Sequence, residues 1–148
     1  MASRDSLRIL FQAVSIFGTP FFYIPMTAYF LKTNPSLAIK LVLAVASTEI
    51  ICGAVKYIYP KARPVPMPNK TLIQKYFAGS FPSVHTARIT AFSATVVLSA
   101  MDMKLIFIGL FAIAGVGYSR IYLKKHYFID VIAGFGIGAV LSVAAVMI

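Results

Sequence analysis

The chain alternates long apolar blocks with short polar joints. Five blocks cover residues 15–31, 37–59, 82–101, 104–122 and 127–148, each close to the ~20 apolar residues that a helix needs to cross a bilayer. The joints at 32–36, 102–103 and 123–126 are short, as antiparallel helices in a bundle require. The connection 60–81 is long and holds Pro60, Pro64, Pro66 and Pro68; prolines at that density exclude a helix there. Ahead of the first block, Leu7, Leu10, Phe11 and Val14 share one helical face, with Arg4, Asp5, Arg8 and Gln12 elsewhere. That spacing predicts a short N-terminal helix over 1–14, lying in the membrane interface. The pattern as a whole predicts an all-α membrane protein. It is a single membrane-embedded domain over 1–148: about five transmembrane helices in a bundle, plus the interfacial helix.

Composition strengthens the membrane reading. The chain is 59% hydrophobic and 12% charged, against about 25% charged in a soluble domain. The net charge of +10 does not point to nucleic acid, because the basic residues sit between or at the ends of apolar blocks, where membrane proteins keep them. The expected partners are the bilayer and anionic lipid headgroups, with no obligate protein partner evident. Cys52, the single cysteine, lies inside an apolar block, so no intrachain disulfide or cysteine-based metal site can form. Arg4 and Arg8 precede an apolar stretch as in a signal peptide, but Pro20 and Pro25 interrupt it and no small-residue cleavage site follows; the segment is expected to be retained. Gly134 and Gly138 form a GxxxG pair in the last block, read as close packing inside the bundle, with homodimerisation the alternative.

Three polar clusters interrupt this background: Lys56 through Arg63 and Pro64, Pro82-Ser83-Val84-His85, and Ser119-Arg120 followed by His126 and Asp130. Successive spans reverse direction, so all three clusters fall on one side of the membrane. Ionisable groups at membrane helices are costly and default to a functional reading. Lys56, Arg63 and Arg120 supply positive charge suited to phosphate. Pro82, Ser83 and Val84 stand at a helix start, where free N–H groups bind anions. His126 and Asp130 are spaced i, i+4, which on a helix puts a carboxylate beside an imidazole. A carboxylate there can fix the ring tautomer and aim the other nitrogen outward as a nucleophile. His85 is left for acid–base work.

These residues follow the pattern K-x6-RP, PSGH, SR-x5-H-x3-D. The chain thereby resembles the type 2 phosphatidic acid phosphatase superfamily, at Lys56, Arg63, Pro64, Pro82, Ser83, His85, Ser119, Arg120, His126 and Asp130. The departure is Val84, where the family usually has glycine. The resemblance runs from about residue 15 to the end. It implies a metal-independent lipid phosphatase without cofactors. In that scheme His126 attacks phosphorus to form a phosphohistidine and Asp130 orients it. His85 protonates the leaving alkoxide and then activates water, while Lys56, Arg63, Ser83, the Val84 N–H and Arg120 hold the phosphoryl oxygens. Implied substrates are a lipid A 1-phosphate, phosphatidylglycerol phosphate, phosphatidic acid or a polyprenyl diphosphate. A phosphotransferase using the same phosphohistidine, and a non-enzymatic protein binding anionic lipid, are the alternatives.

Arg88, one turn beyond His85, is a possible accessory to the phosphate site or its entrance. Glu49 is expected to pair with a basic residue inside the bundle. Lys61, Lys70, Lys75, Lys124 and Lys125 read as a headgroup-facing rim, and Tyr57, Tyr59, Tyr118, Tyr122 and Tyr127 as an aromatic belt. By charge count alone the motif face is cytoplasmic. The resemblance implies instead the outer, periplasmic face of the cell (inner) membrane.

Overall fold

The computed structural model of the protein describes residues 2–148. Seven α-helices follow in order: α1 (Ala2–Ser15), α2 (Pro20–Thr33), α3 (Pro35–Ile58), α4 (Leu72–Ala78), α5 (Val84–Ala100), α6 (Met103–Tyr122) and α7 (Phe128–Val146). A 3-10 turn, Ile16–Gly18, joins α1 to α2. Among the described residues α3, α6 and α7 are each long and apolar enough to cross a membrane. The α1–α2 pair, bent by 43°, qualifies as a fourth span if taken together. The protein is an all-helical integral membrane bundle. Helices α3, α5, α6 and α7 fall on the last four apolar blocks, whereas the block 15–31 is divided among the end of α1, the 3-10 turn and α2; α2 and α5 fall short of spanning length on their own.

Local chemistry sets the helix ends. Pro20 and Pro35 occupy the first turns of α2 and α3, where a missing N–H costs nothing. The Asn34 side chain accepts from Leu37 N–H at 3.1 Å and is the whole joint between the two helices. Asp102 caps α6 by accepting from Lys104 N–H at 2.7 Å. The connection 60–81 is corrected in part: its proline run is irregular as expected, but α4 follows directly after it. Thr71 and Gln74 form a reciprocal capping box there, a Thr-x-x-Gln signal visible in the sequence.

α5 is the axis of the bundle, packed by α3, α6 and α7. It is buried on most sides, with Ala87, Ile89, Ala91 and Phe92 among its buried residues. Gly134 and Gly138 let α7 lie directly on the α5 backbone. A Cβ on Gly138 would come within 2.8 Å of Thr90 Cβ, and one on Gly134 would strike the Ser83 carbonyl. The GxxxG pair is therefore spent inside the bundle. A core of Leu37, Leu41, Ala44, Val45, Ala91 and Phe92 fills the end away from the polar clusters, with Phe22 and Phe30 of α2 packed against it. Helix α1 is docked as well: Phe11 stacks against Tyr118 and Tyr122 at centroid distances of 5.3 and 4.5 Å.

Candidate active site

The three polar clusters meet at one end of the bundle, joined by main-chain hydrogen bonds. Ser83 N–H donates to the Asp130 carbonyl at 2.9 Å, which ties the start of α5 to the first turn of α7. Between α6 and α7 the chain reverses through Lys124, whose φ is 54°. The N–H groups of Lys125 and His126 then both donate to the Arg120 carbonyl, at 3.0 and 3.2 Å. The spacing between Arg120 and His126 is thus the length of one closed turn, and it brings the imidazole back beside the guanidinium.

His126 is only 3% exposed. Its Nδ1 lies 2.7 Å from the Ser80 carbonyl oxygen. A carbonyl only accepts, so Nδ1 carries the proton and Nε2 keeps its lone pair. Burial, together with the charges of Arg63, Arg120 and Lys56, lowers the ring pKa to about 4, against an opposing pull from Asp130. The ring is therefore neutral at pH 7.

The expected Asp130–His126 hydrogen bond is corrected. Asp130 Oδ2 stands 3.9 Å from Nδ1, an ion-pair distance but too long for a hydrogen bond. The reason is that α7 begins at Phe128. His126 precedes the helix, so the i, i+4 register does not apply to it. The Asp130 carboxylate is taken up by Lys61 Nζ at 2.6 Å, by the Ser80 hydroxyl and by Tyr127 N–H at 2.8 Å. Lys61, read from sequence as part of the rim, is in the site.

Lys56, Arg63 and Arg120 have no ion-pair partner among the described residues. Lys56 is 2% exposed, and its Nζ donates to the Gly79 carbonyl at 2.5 Å. Arg120 Nη1 donates to Ser15 Oγ at 2.7 Å, a partner from α1 that the motifs gave no reason to expect. Arg63 Nε and Arg120 Nε are both buried with no hydrogen-bond partner among the described residues. Burial lowers the pKa of Arg63, with Asp130 opposing. His85, half-buried on the first turn of α5, has Arg120, Arg88, His126 and Arg63 as its charged neighbours. The 3-10 turn presses against it, since a Cβ on Gly18 would come within 2.8 Å of His85 Cβ.

Ser83 caps α5, its Oγ 3.0 Å from Thr86 Oγ1. Val84 buries its side chain against Cys52 and Ala87. Its φ is not positive, so the backbone here does not require the glycine usual in the motif. Arg88 is engaged elsewhere: its Nε donates to Glu49 at 2.7 Å, and the same carboxylate accepts from the Tyr76 hydroxyl. Glu49 thus pairs inside the bundle as expected, and the network fastens α4 to α3 and α5. Among the described residues no group of three or more His, Cys, Asp or Glu side chains could hold a metal ion.

Two spaces adjoin the site. A cavity of about 360 Å³ is lined by Lys56, Lys61, Arg63, Asn69 and Lys75. An apolar groove of about 690 Å³ runs between α1, α2, α5 and α6, lined by Phe17, Ile89, Phe92, Val97 and Phe111 among others. Ile89, in the groove lining, stands one helical turn beyond His85 on α5.

A membrane-embedded helical bundle whose polar end gathers two histidines and several cations is consistent with the class of integral membrane phosphatases that act on lipids. Within it, the chain belongs to the PAP2 superfamily, whose sequence profile matches residues 37–148. The chain is 29% identical to an undecaprenyl-diphosphatase of Sulfolobus acidocaldarius, over 97% of this chain and 71% of that protein. Two crystal structures share its fold. One is Aquifex aeolicus LpxE, with a TM-score of 0.82 and 22% identity, covering 96% of this chain and 86% of that one. The other is a PAP2-type phosphatidylglycerolphosphate phosphatase of Bacillus subtilis, with a TM-score of 0.75 and 21% identity, covering 94% of this chain and 74% of that one.

Proposed function

We propose that the protein hydrolyses a lipid phosphate monoester or diphosphate through a phosphohistidine on His126, without a metal. Candidate substrates are a lipid A 1-phosphate, phosphatidylglycerol phosphate, phosphatidic acid or a polyprenyl diphosphate. The observation that carries this reading is the pair of buried arginine Nε donors, Arg63 and Arg120, left without partners beside a neutral, main-chain-oriented imidazole. A buried donor without a partner costs roughly 1–3 kcal/mol, and phosphoryl oxygens are the acceptors that two such guanidinium groups fit.

In this mechanism His126 Nε2 attacks phosphorus, and His85 on the groove side protonates the leaving oxygen. The phosphorus–oxygen bond breaks, the lipid alcohol or monophosphate departs, and the lipid chain lies in the apolar groove. His85, now neutral, takes a proton from water, which attacks the phosphohistidine and releases inorganic phosphate. Lys56, Arg63, Arg120 and the N-terminus of α5 at Ser83 and Val84 stabilise the charge on the equatorial oxygens. Asp130, bonded to the loop that carries the Ser80 carbonyl, supports His126 indirectly.

The test is phosphate release from a panel of lipid phosphates in detergent with EDTA present. Wild type releases phosphate and His126→Ala does not; full turnover by His126→Ala refutes the mechanism, and quantitative transfer to an acceptor lipid converts the reading to a phosphotransferase. The site is proposed to face the outer side of the cell membrane. A cysteine introduced near Lys70, with Cys52 replaced, should then be labelled by an impermeant reagent in intact cells.

A further inference from the structure

We infer that Lys61 is a positioning residue for the nucleophile, holding His126 in its attacking tautomer through Asp130 and the main chain of Ser80. The inference rests on His126 being the nucleophile. A closed circuit of contacts carries it. Lys61 Nζ donates to Asp130 Oδ1 at 2.6 Å. The Ser80 hydroxyl donates to the other carboxylate oxygen. Ser80 N–H donates back to the Lys61 carbonyl at 2.7 Å. The Ser80 carbonyl then accepts from His126 Nδ1 at 2.7 Å. Residues 61 and 80, at the two ends of the long connection, are thereby pinned to each other and to α7, with the imidazole fixed to the pinned peptide.

The Lys61 ammonium is itself seated. It lies 4.6 Å from the centroid of the Tyr127 ring and 5.9 Å from that of Phe81, so two aromatic faces attract it. Its side chain is 27% exposed while Asp130 is fully buried. A rim lysine that only met headgroups would need neither the rings nor a carboxylate.

The pair also sets the charge that His126 experiences. The groups facing the ring are Lys56 from α3, Arg63 and Ser80 from the connection, His85 from α5, Arg120 from α6 and Asp130 from α7. Asp130 is the only anion among them. Lys61 neutralises it and holds it on the Ser80 side, 3.9 Å from Nδ1. Without the Lys61 ammonium the carboxylate keeps only the Ser80 hydroxyl and Tyr127 N–H, its charge is no longer compensated and raises the proton affinity of the ring, and Asp130 holds the Ser80 segment less firmly. Both changes act on catalysis more than on substrate binding.

The experiment compares Lys61→Met, Lys61→Gln and Lys61→Arg with wild type and His126→Ala in detergent. It measures kcat and KM on a short-chain phosphatidic acid, and titrates His126 by histidine-ring NMR. Removing the cation should lower kcat on the order of 10²-fold, as a small misplacement of a reacting group does, with KM within about threefold. It should also move the His126 titration upward. Lys61→Arg should recover most of kcat, because a guanidinium can reach the same carboxylate and stack on the same rings. Lys61→Gln keeps one donor and is read in the same way if Lys61→Met does not fold. Unchanged kcat, or a raised KM with kcat intact, overturns the inference in favour of a headgroup-binding lysine, as does an unmoved titration. If His126→Ala remains active, the fault lies with the proposed nucleophile and not with Lys61.

Discussion

Arg120 should be worth much to the reaction and almost nothing to the fold. It is 7% exposed, and among the described residues no carboxylate pairs with it. Its contribution to stability is the Nη1 bond to Ser15 at 2.7 Å, about 1.5–3 kcal/mol for a bond from a charged donor. Against this stands the buried Nε without a partner, which costs about 1–3 kcal/mol, so the two nearly cancel. Arg120→Met fills similar space with no charge to desolvate. It should unfold within about 1 kcal/mol of wild type, or later. Activity should behave differently. Losing one preorganised donor to an oxyanion costs about 10²–10³ in kcat, or roughly 2.7–4 kcal/mol. Thermal unfolding in detergent and steady-state phosphate release, on the same preparations, separate the two. Vanadate, a phosphate mimic, should raise the melting temperature of wild type and not of Arg120→Met. If Arg120→Met loses more than about 3 kcal/mol of stability, Arg120 is a strut between α1 and α6 and the argument from its orphaned donor fails.

Three further outcomes follow from the same geometry. Ser15→Ala removes the support of Arg120 but none of its charge; phosphate-release assays should show a drop of about 3–10-fold, in line with the loss of one hydrogen bond of about 1 kcal/mol. His126 has a folded-state pKa near 4, below its ordinary 6.5, so between those values the unfolded chain binds a proton that the folded chain refuses. Stability is therefore lost as pH falls from about 6.5 towards 4, with His126 contributing on the order of 3 kcal/mol, and His126→Gln should make that part of a melting-temperature profile shallower. Gly138→Leu puts a side chain where the α5 backbone and Thr90 already stand, and should destabilise the bundle by at least about 2 kcal/mol in detergent unfolding; a neutral result would mean that α7 is not seated on α5.

What the chain determines without folding is its periodicity and its inventory. Five apolar blocks commit it to helices in a bilayer, since every backbone N–H and C=O must be satisfied within its own segment there. The alternation of span direction puts Lys56, Arg63, His85, Arg120 and His126 at one end before any contact is known. The Thr71 and Gln74 cap of α4 was also legible, and was obscured by the prolines beside it. Tertiary structure alone decides the partners. His126 meets the carbonyl of Ser80, 46 positions away, and a main-chain acceptor leaves no mark in side-chain identity. Asp130 turns to Lys61 because α7 starts two residues after His126, a boundary that a motif spacing does not reveal. Ser15 reaches Arg120 only because α1 folds back on α6. Spacing within one helix fixes a face, but hydrogen bonds between segments depend on how the helices seat, and that is set by the close contact of α7 and α5 at Gly134 and Gly138.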